Sequence, residues 1–367
     1  MNTTVGDIKA YFDKRFPACL KESWDNTGLL IGRIEKTVKK IIVCLDITKS
    51  VLEEAKADNA DLIITHHPVI FRPLTQITTE TASGRMICDI VGNDIAVYSA
   101  HTNLDAAPDG LNFMLASALG LQNAVDLNDY AEEKLFKVVI YVPRECLESV
   151  RKEMIENGAG HIGKYSECTF ASEGIGTFKP EDGSNPYIGE KGRLIKVDEV
   201  RLETIVPEPE LDKMLKAALS AHPYEEPAYD IYRLENGSKR GMGKVGYADG
   251  SYEMKDYISH VKKCLDIETV RFAGDFNTRV NKAAVFCGGF DGNLSGMERE
   301  KPDVLVTGDI KYNMALDMTA AGFNIIDAGH FNTEKIMIPA ICEITRKKFP
   351  ELKVKASARL DDVFTFC

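Results

Sequence analysis

The run Asp61-Leu-Ile-Ile-Thr-His66-His67-Pro68 ends an apolar segment in two imidazoles and a proline. Leu62 to Ile64 have the composition of a buried strand, and Pro68 stops a helix or a central strand from continuing. Neighbouring strand residues point to opposite faces, so a histidine pair serving one site needs a kinked backbone, for which Pro68 supplies a reason. Open α/β sheets place their ligands at the carboxyl ends of their strands. Two more of the seven histidines occupy such positions: His101 in Tyr98-Ser-Ala-His-Thr-Asn-Leu-Asp105, and His330 in Ile325-Ile-Asp-Ala-Gly-His330.

The surrounding pattern is strand alternating with helix. Ile41–Leu45, Asp61–Thr65 and Ile95–Ser99 read as strands, separated by helical stretches at 50–57 and 81–92, with a further helix at 111–119. Alternation of this kind predicts a mainly parallel sheet covered on both faces. The character changes near Tyr130. From there the order is strand, helix, β-rich glycine-containing loops, strand, helix and strand, which suits a ferredoxin-like α+β domain. Asn236-Gly-Ser-Lys-Arg-Gly-Met-Gly243 has linker composition, after which strands at 283–287, 304–307 and 324–327 and helices at 311–321 and 333–346 restore the first pattern. The expected organisation is one split α/β core domain, residues 1–129 and 237–367, interrupted by an inserted α+β domain, residues 130–236.

At 367 residues the chain exceeds one ordinary core, and 44% hydrophobic with 28% charged residues is the balance of a folded, soluble protein. No apolar run approaches the roughly 20 residues of a membrane span, and the N-terminal residues lack the basic and apolar regions of a signal peptide. The expected location is cytoplasmic. Nine cysteines show no CxxC and no regular spacing, and those inside apolar runs (Cys44, Cys88, Cys287) read as small buried hydrophobes in a reducing compartment. The net charge of −11 disfavours a general nucleic-acid binder, without excluding a locally basic pocket for a phosphorylated small molecule.

Imidazoles and carboxylates gathered on short rigid elements are the donors a metal site requires. The candidates are His66 and His67 after one strand, Asp105 after the next, and His330 with Glu334 near the end of the chain. With Thr333 opening a helix, Glu334 would lie in its first turn, and Gly329 would let His330 face the same cavity. These groups exceed the needs of one tetrahedral ion and suit two ions bridged by a carboxylate and a water, an arrangement that clamps attacking and leaving oxygens. His101 is a candidate for proton transfer. Asp309, in Thr307-Gly-Asp309, either orients a ligand imidazole or caps the following helix. Asp25, in Trp24-Asp-Asn-Thr-Gly28, is either an acid/base group in a pocket wall or part of a turn anchored by a buried indole. His222-Pro-Tyr-Glu-Glu-Pro227 resembles a second metal site but reads better as a structural turn. The sequence contains no dinucleotide fingerprint in strand–helix context, no GxSxG and no P-loop.

Trp24-Asp-Asn-Thr-Gly-Leu-Leu-Ile-Gly32, Ile64-Thr-His-His-Pro68, Ser99-Ala-His-Thr-Asn-Leu-Asp105, Asp303-Val-Leu-Val-Thr-Gly-Asp309 and Asp327-Ala-Gly-His330 with Glu334 together resemble the Nif-three-like family. Its bacterial members are commonly labelled GTP cyclohydrolase I type 2 homologues. The resemblance implies a dinuclear site of His66, His67, Asp105, His330 and Glu334, a homohexameric ring, and an insert similar to PII and CutA proteins. The last rests on Tyr141-Val-Pro143, Gly158-Ala-Gly-His-Ile-Gly163 and His222-Pro-Tyr-Glu-Glu-Pro227. Phe290-Asp291 after Cys287-Gly-Gly departs from the small residues often found there. The family label implies metal-activated water opening the guanine imidazole ring of GTP, but no motif in the sequence reads guanine. The expected reaction is hydrolysis of a nucleotide-like small molecule with two divalent ions per subunit (zinc, manganese, iron or cobalt). The alternative is a metal-binding regulatory or scaffold protein whose insert senses a metabolite or partner.

Overall fold

In the parallel strands near the N-terminus, successive side chains enter two different cores. Ile41, Val43, Leu62, Ile64, Ala96 and Tyr98 face one cluster of buried residues, while Ile42, Cys44, Ile63 and Val97 face another. This period-two division is what a sheet buried on both faces imposes, and it explains why the strands read as unbroken apolar runs. The structure is a computed structural model and describes residues 2–132, 134–163, 165–237, 239–360 and 362–365. The chain divides into two compact units, Met1–Ala131 with Arg240–Cys367, and Glu132–Lys239.

The first unit holds two sheets, where the alternation of elements led to the expectation of one. The five-stranded sheet runs in the order Gly28–Ile31, Ala96–Ser99, Leu62–Thr65, Lys40–Cys44, Lys353–Ala356, and only its first pairing is antiparallel. The six-stranded sheet runs Arg271–Ala273, Ile325–Asp327, Val304–Gly308, Arg279–Gly289, Lys239–Glu253, Gln122–Glu132, with a parallel centre between Arg279–Gly289 and Ile325–Asp327. One core cluster takes residues from both sheets and from helices Val5–Arg15, Leu111–Ala118, Met254–Leu265 and Met337–Lys348. The local signals could not reveal this division, because each strand's pairing partner is set by distant packing. The boundary between the units falls inside the expected linker at 236–243, but from Lys239 onward that stretch is the strand Lys239–Glu253. Its glycines serve close approach: a Cβ on Gly241 would lie 2.1 Å from the Asp126 Cβ.

Chain reversals are closed by ordinary side-chain chemistry. Thr4 caps the first helix and Asp7 returns a carboxylate to the Thr4 N–H, forming a capping box. Register then carries the site. Cys44, Thr65 and Ser99 are successive neighbours across the first sheet, so the residues that follow them emerge at one edge. In the second sheet Gly289 pairs with Gly308 and Thr307 with Asp327, which brings Gly288, Asp309 and His330 to its corresponding edge.

The second unit is β-α-β-β-α-β: strands Leu135–Pro143, Thr169–Phe178, Ile195–Pro207 and Tyr229–Leu234, with helices Leu147–Glu156 and Glu208–Ser220. The order across its sheet is second, third, first, fourth, all antiparallel, the arrangement of a split βαβ fold. Val138, Ile140, Val200 and Leu202 pack with Val150, Met154, Met214 and Ala218 of the helices. No helix among the described residues is long and apolar enough to cross a membrane.

Candidate metal centre

Four imidazoles converge, each with its Nδ1 tied to an oxygen. His66 Nδ1 donates to the Ala100 carbonyl at 2.7 Å, and His67 Nδ1 to Asp46 Oδ1 at 2.8 Å. His101 Nδ1 donates to Asp25 Oδ1 at 2.8 Å, and His330 Nδ1 to Asp309 Oδ2 at 2.9 Å. These bonds set the ring orientations and leave each Nε2 for the cluster, the arrangement by which metal-ligating histidines are commonly oriented. Ring centroids lie 5.0 Å apart for His66 and His67, and 5.5 Å for His67 and His330.

The backbone after Thr65 bends at His66 and His67, as the proline suggested. Thr65 Oγ1 donates to the Leu45 carbonyl, the His67 N–H donates to the same carbonyl, and Ser99 Oγ donates to the His66 carbonyl. On the other sheet, Gly329 (φ 89°) ends the turn after Asp327, and a short helix runs from His330 to Glu334. The expected helix from Thr333 to Arg346 is therefore two helices, His330–Glu334 and Met337–Lys348. His330 and Glu334 face each other one turn apart, with Nε2 and Oε1 separated by 3.1 Å. Thr333 Oγ1 accepts the Gly288 N–H, which locks this helix to the adjoining strand.

Glu334 is the hub. Its Oε1 lies 3.6 Å from His66 Nε2 and its Oε2 lies 3.1 Å from His67 Nε2. Two groups of donor atoms emerge, His66 with His67 and His101, and His67 with His330 and Glu334, each gathered within 4.8 Å. Asp105 stands beside them, Oδ1 3.6 Å from His66 Nε2 and 3.4 Å from the Cys287 thiol that donates to it. Of the predicted donors all five meet here, and His101 joins a donor group. His66 Nε2 and Glu334 Oε2 are buried without a hydrogen-bond partner. Orphaned polar atoms of this kind, one imidazole nitrogen and one carboxylate oxygen, are a donor set that fits a divalent cation.

Burial disfavours charge on His67, yet the Asp46 and Glu334 carboxylates outweigh it and push the imidazole up to about 10. The Glu334 contact, against the cost of burial, raises His330 to about 9. Burial would raise Glu334, but His66 and His330 hold it well below the usual carboxylate range. Burial raises Asp105. Asp25 is also buried, but its bonds from His101 and Thr102 prevail and hold it at about 2.

Asp309 (φ 51°) is an imidazole-orienting residue: the following helix begins at Tyr312 with Lys311 at its cap, so the capping alternative is set aside. Asp25 binds His101 and Thr102, and Trp24 is 55% exposed, which overturns the buried-indole alternative. His222 has both ring nitrogens engaged, to the Tyr141 carbonyl and the Tyr224 N–H, and belongs to a structural turn. Phe290 is buried edge-on against Phe286 and is a core residue. Sequence reasoning missed Asp46, Cys287 and Gly288. Asp46 follows a strand that carries no histidine. Gly288 (φ 63°) could have been suspected from Cys287-Gly-Gly: a Cβ there would lie 2.4 Å from Glu334 Oε1. A cavity of about 900 Å³ adjoins the cluster, walled by Asp46, His67, His330, Arg271 and Phe331.

A family model described as Duf34/NIF3 (NGG1p interacting factor 3) matches residues 3–362. The chain is 43% identical over 362 residues to a "GTP cyclohydrolase 1 type 2 homolog" of Halalkalibacterium halodurans, covering 97% of this chain and 96% of that one. A protein of the same description from Bacillus subtilis is 44% identical over 329 residues, covering 89% and 87%. A crystal structure of a Bacillus cereus protein related to NIF3 superposes with TM-score 0.82 at 40% identity over the full length of both chains.

Proposed function

The chain belongs to the Duf34/NIF3 family, and from that premise we propose that it is a dinuclear metal-dependent hydrolase acting on a nucleotide-like small molecule. The observation that carries the reading is the buried pair His66 Nε2 and Glu334 Oε2, neither of them hydrogen-bonded and each facing another donor of the cluster, Glu334 Oε1 at 3.6 Å and His67 Nε2 at 3.1 Å. His66, His67, Asp105, His330 and Glu334 would hold two divalent ions, with zinc, manganese, iron or cobalt compatible with the donor set. When bound, such ions act as Lewis acids and lower the pKa of water at neutral pH.

The protein's own groups supply the rest. Asp25 fixes the His101 tautomer by taking its Nδ1–H, which leaves Nε2 to accept a proton from water attacking the substrate and return it to the leaving nitrogen. Asp46 and Asp309 hold His67 and His330 in register with Glu334. The name shared by the relatives suggests opening of the guanine imidazole ring of GTP as the reaction. We further read the chain as a cytoplasmic homohexamer subunit whose inserted unit is PII/CutA-like, a reading supported by the family resemblance and by the insert's strand order.

The test is turnover of GTP and a nucleotide panel by metal-loaded and metal-stripped protein, with His66→Ala and Glu334→Ala as controls. Metal-dependent turnover that both variants lose is expected. Turnover no greater than that of the variants would overturn the hydrolase reading.

A further inference from the structure

The chain's single tryptophan is 55% exposed, and beside it Phe71 is 45% exposed. Isolated exposed apolar residues need no explanation, but these two rings touch, with centroids 5.7 Å apart. Both also meet His101, at 6.0 Å from Trp24 and 6.5 Å from Phe71. The Trp24 contacts are inclined, 51° to Phe71 and 70° to His101, so neither ring lies flat against an indole face.

The pair is firmly mounted. The Glu22 N–H donates to Thr102 Oγ1, Lys21 Nζ donates to the Asp25 carbonyl, and the Asp25 N–H closes the turn on Glu22. Asn26 Nδ2 then donates to the Ile70 carbonyl at 2.6 Å, which ties the tryptophan's turn to the segment carrying Phe71. Asp25, next to the indole, is the residue that orients His101. A rigid, solvent-facing aromatic surface is thus fixed to the same residues that fix the site's imidazoles. Aromatic faces so placed stack planar rings, and the contact tolerates different ring substituents because it reads the π-face.

We propose that Trp24 and Phe71 form a stacking shelf that holds a planar nitrogen heterocycle of nucleobase size beside His101. The inference rests on the reading that the histidine cluster is where the substrate reacts, and it names the part of the substrate that is bound. The shelf acts on the ring, so it discriminates planar heterocycles from sugar phosphates and leaves recognition of individual bases to other groups.

The single indole makes the shelf directly readable. Trp24 fluorescence, excited beyond nucleobase absorption, is titrated with guanosine, adenosine, cytidine and GTP, and with ribose 5-phosphate as the non-aromatic probe, on metal-loaded and metal-stripped protein. Saturable quenching by the bases but not by ribose 5-phosphate is expected. By calorimetry, Trp24→Ala weakens nucleoside binding about tenfold or more while Trp24→Phe retains it, and Phe71→Ala weakens the quenching titration. No saturable quenching by any of the four aromatic probes, or unchanged affinity in Trp24→Ala, would overturn the proposal. So would a Trp24→Ala variant that binds normally but changes sedimentation mass, which would assign the pair to a contact between copies. Binding is read without turnover, so a catalytically silent protein that quenches normally refutes the hydrolase and keeps the shelf.

Discussion

His330 Nε2 and Glu334 Oε1 stand 3.1 Å apart across a single turn of the five-residue helix His330–Glu334. Glu334 also approaches His66 and His67, so one carboxylate on the helix that follows a strand of the second sheet is shared by imidazoles that follow a strand of the first. With two ions as proposed, Glu334→Gln keeps the volume but removes the shared charge. Metal content measured on purified protein should fall from two ions per chain to one or none. Retention of both would remove Glu334 from the centre.

Asp46 touches His67 Nδ1 at 2.8 Å and lies outside the donor groups. Asp46→Ala should lower metal affinity about 10–100-fold, the usual effect of losing a group that orients a ligand histidine. Competition with a chromophoric chelator measures it, and an unchanged melting temperature of the metal-free protein would separate it from misfolding.

Gly288→Ala combines two faults, a Cβ 2.4 Å from Glu334 Oε1 and a left-handed φ of 63°. A strained backbone of this kind costs about 1–3 kcal/mol. The variant should melt lower than the parent and bind less metal. Gly292→Ala (φ 86°) is the control: its Cβ would meet only the Met314 Cε at 3.2 Å, so it should lose stability while keeping metal.

Asp25 is held at about 2 because its bonds from His101 and Thr102 overcome burial. A depressed folded-state value contributes stability above the unfolded carboxylate's value near 4, and that stability is lost as pH falls towards 2. Denaturant unfolding of the metal-free protein between pH 5 and 2 should show a loss of about 1–2 kcal/mol that Asp25→Asn does not show. Parallel pH profiles for the two proteins would contradict it.

Cys44 lies fully buried in a central strand, and burial pushes its thiol up to about 12. It should resist thiol-specific alkylation in native protein and react only as the fold opens, with mass spectrometry locating the label. Labelling of Cys44 faster than global unfolding would show that this face of the sheet opens locally.

Much of the centre was legible because strand ends advertise themselves. An apolar run that stops in His66-His67-Pro68, or in Ala328-Gly329-His330, states locally that an imidazole is presented at a sheet edge. The inserted unit was legible in its first strand, its two helices and its last two strands, whose periodicities are local, whereas the strand Thr169–Phe178 lay in a stretch that reads as β-rich loops. Asp309 and Asp25 were undecided between two local roles, and a contact 21 or 76 residues away in sequence resolved each. Asp46 and Cys287 carried no local signal, because their roles lie wholly in what sits opposite them.

The sequence by itself determined where the histidine-bearing strands end and which imidazoles follow them, since apolar periodicity and proline or glycine stops are properties of neighbouring residues, whereas strands such as Gln122–Glu132 and Lys239–Glu253 carried no such signal. Only the tertiary structure decided that the strands form two sheets, that Glu334 reaches across to His66 and His67, and that Trp24 remains exposed against His101. Those facts depend on register and on packing between segments tens to hundreds of residues apart, where interaction is set by the core they share and not by local pattern.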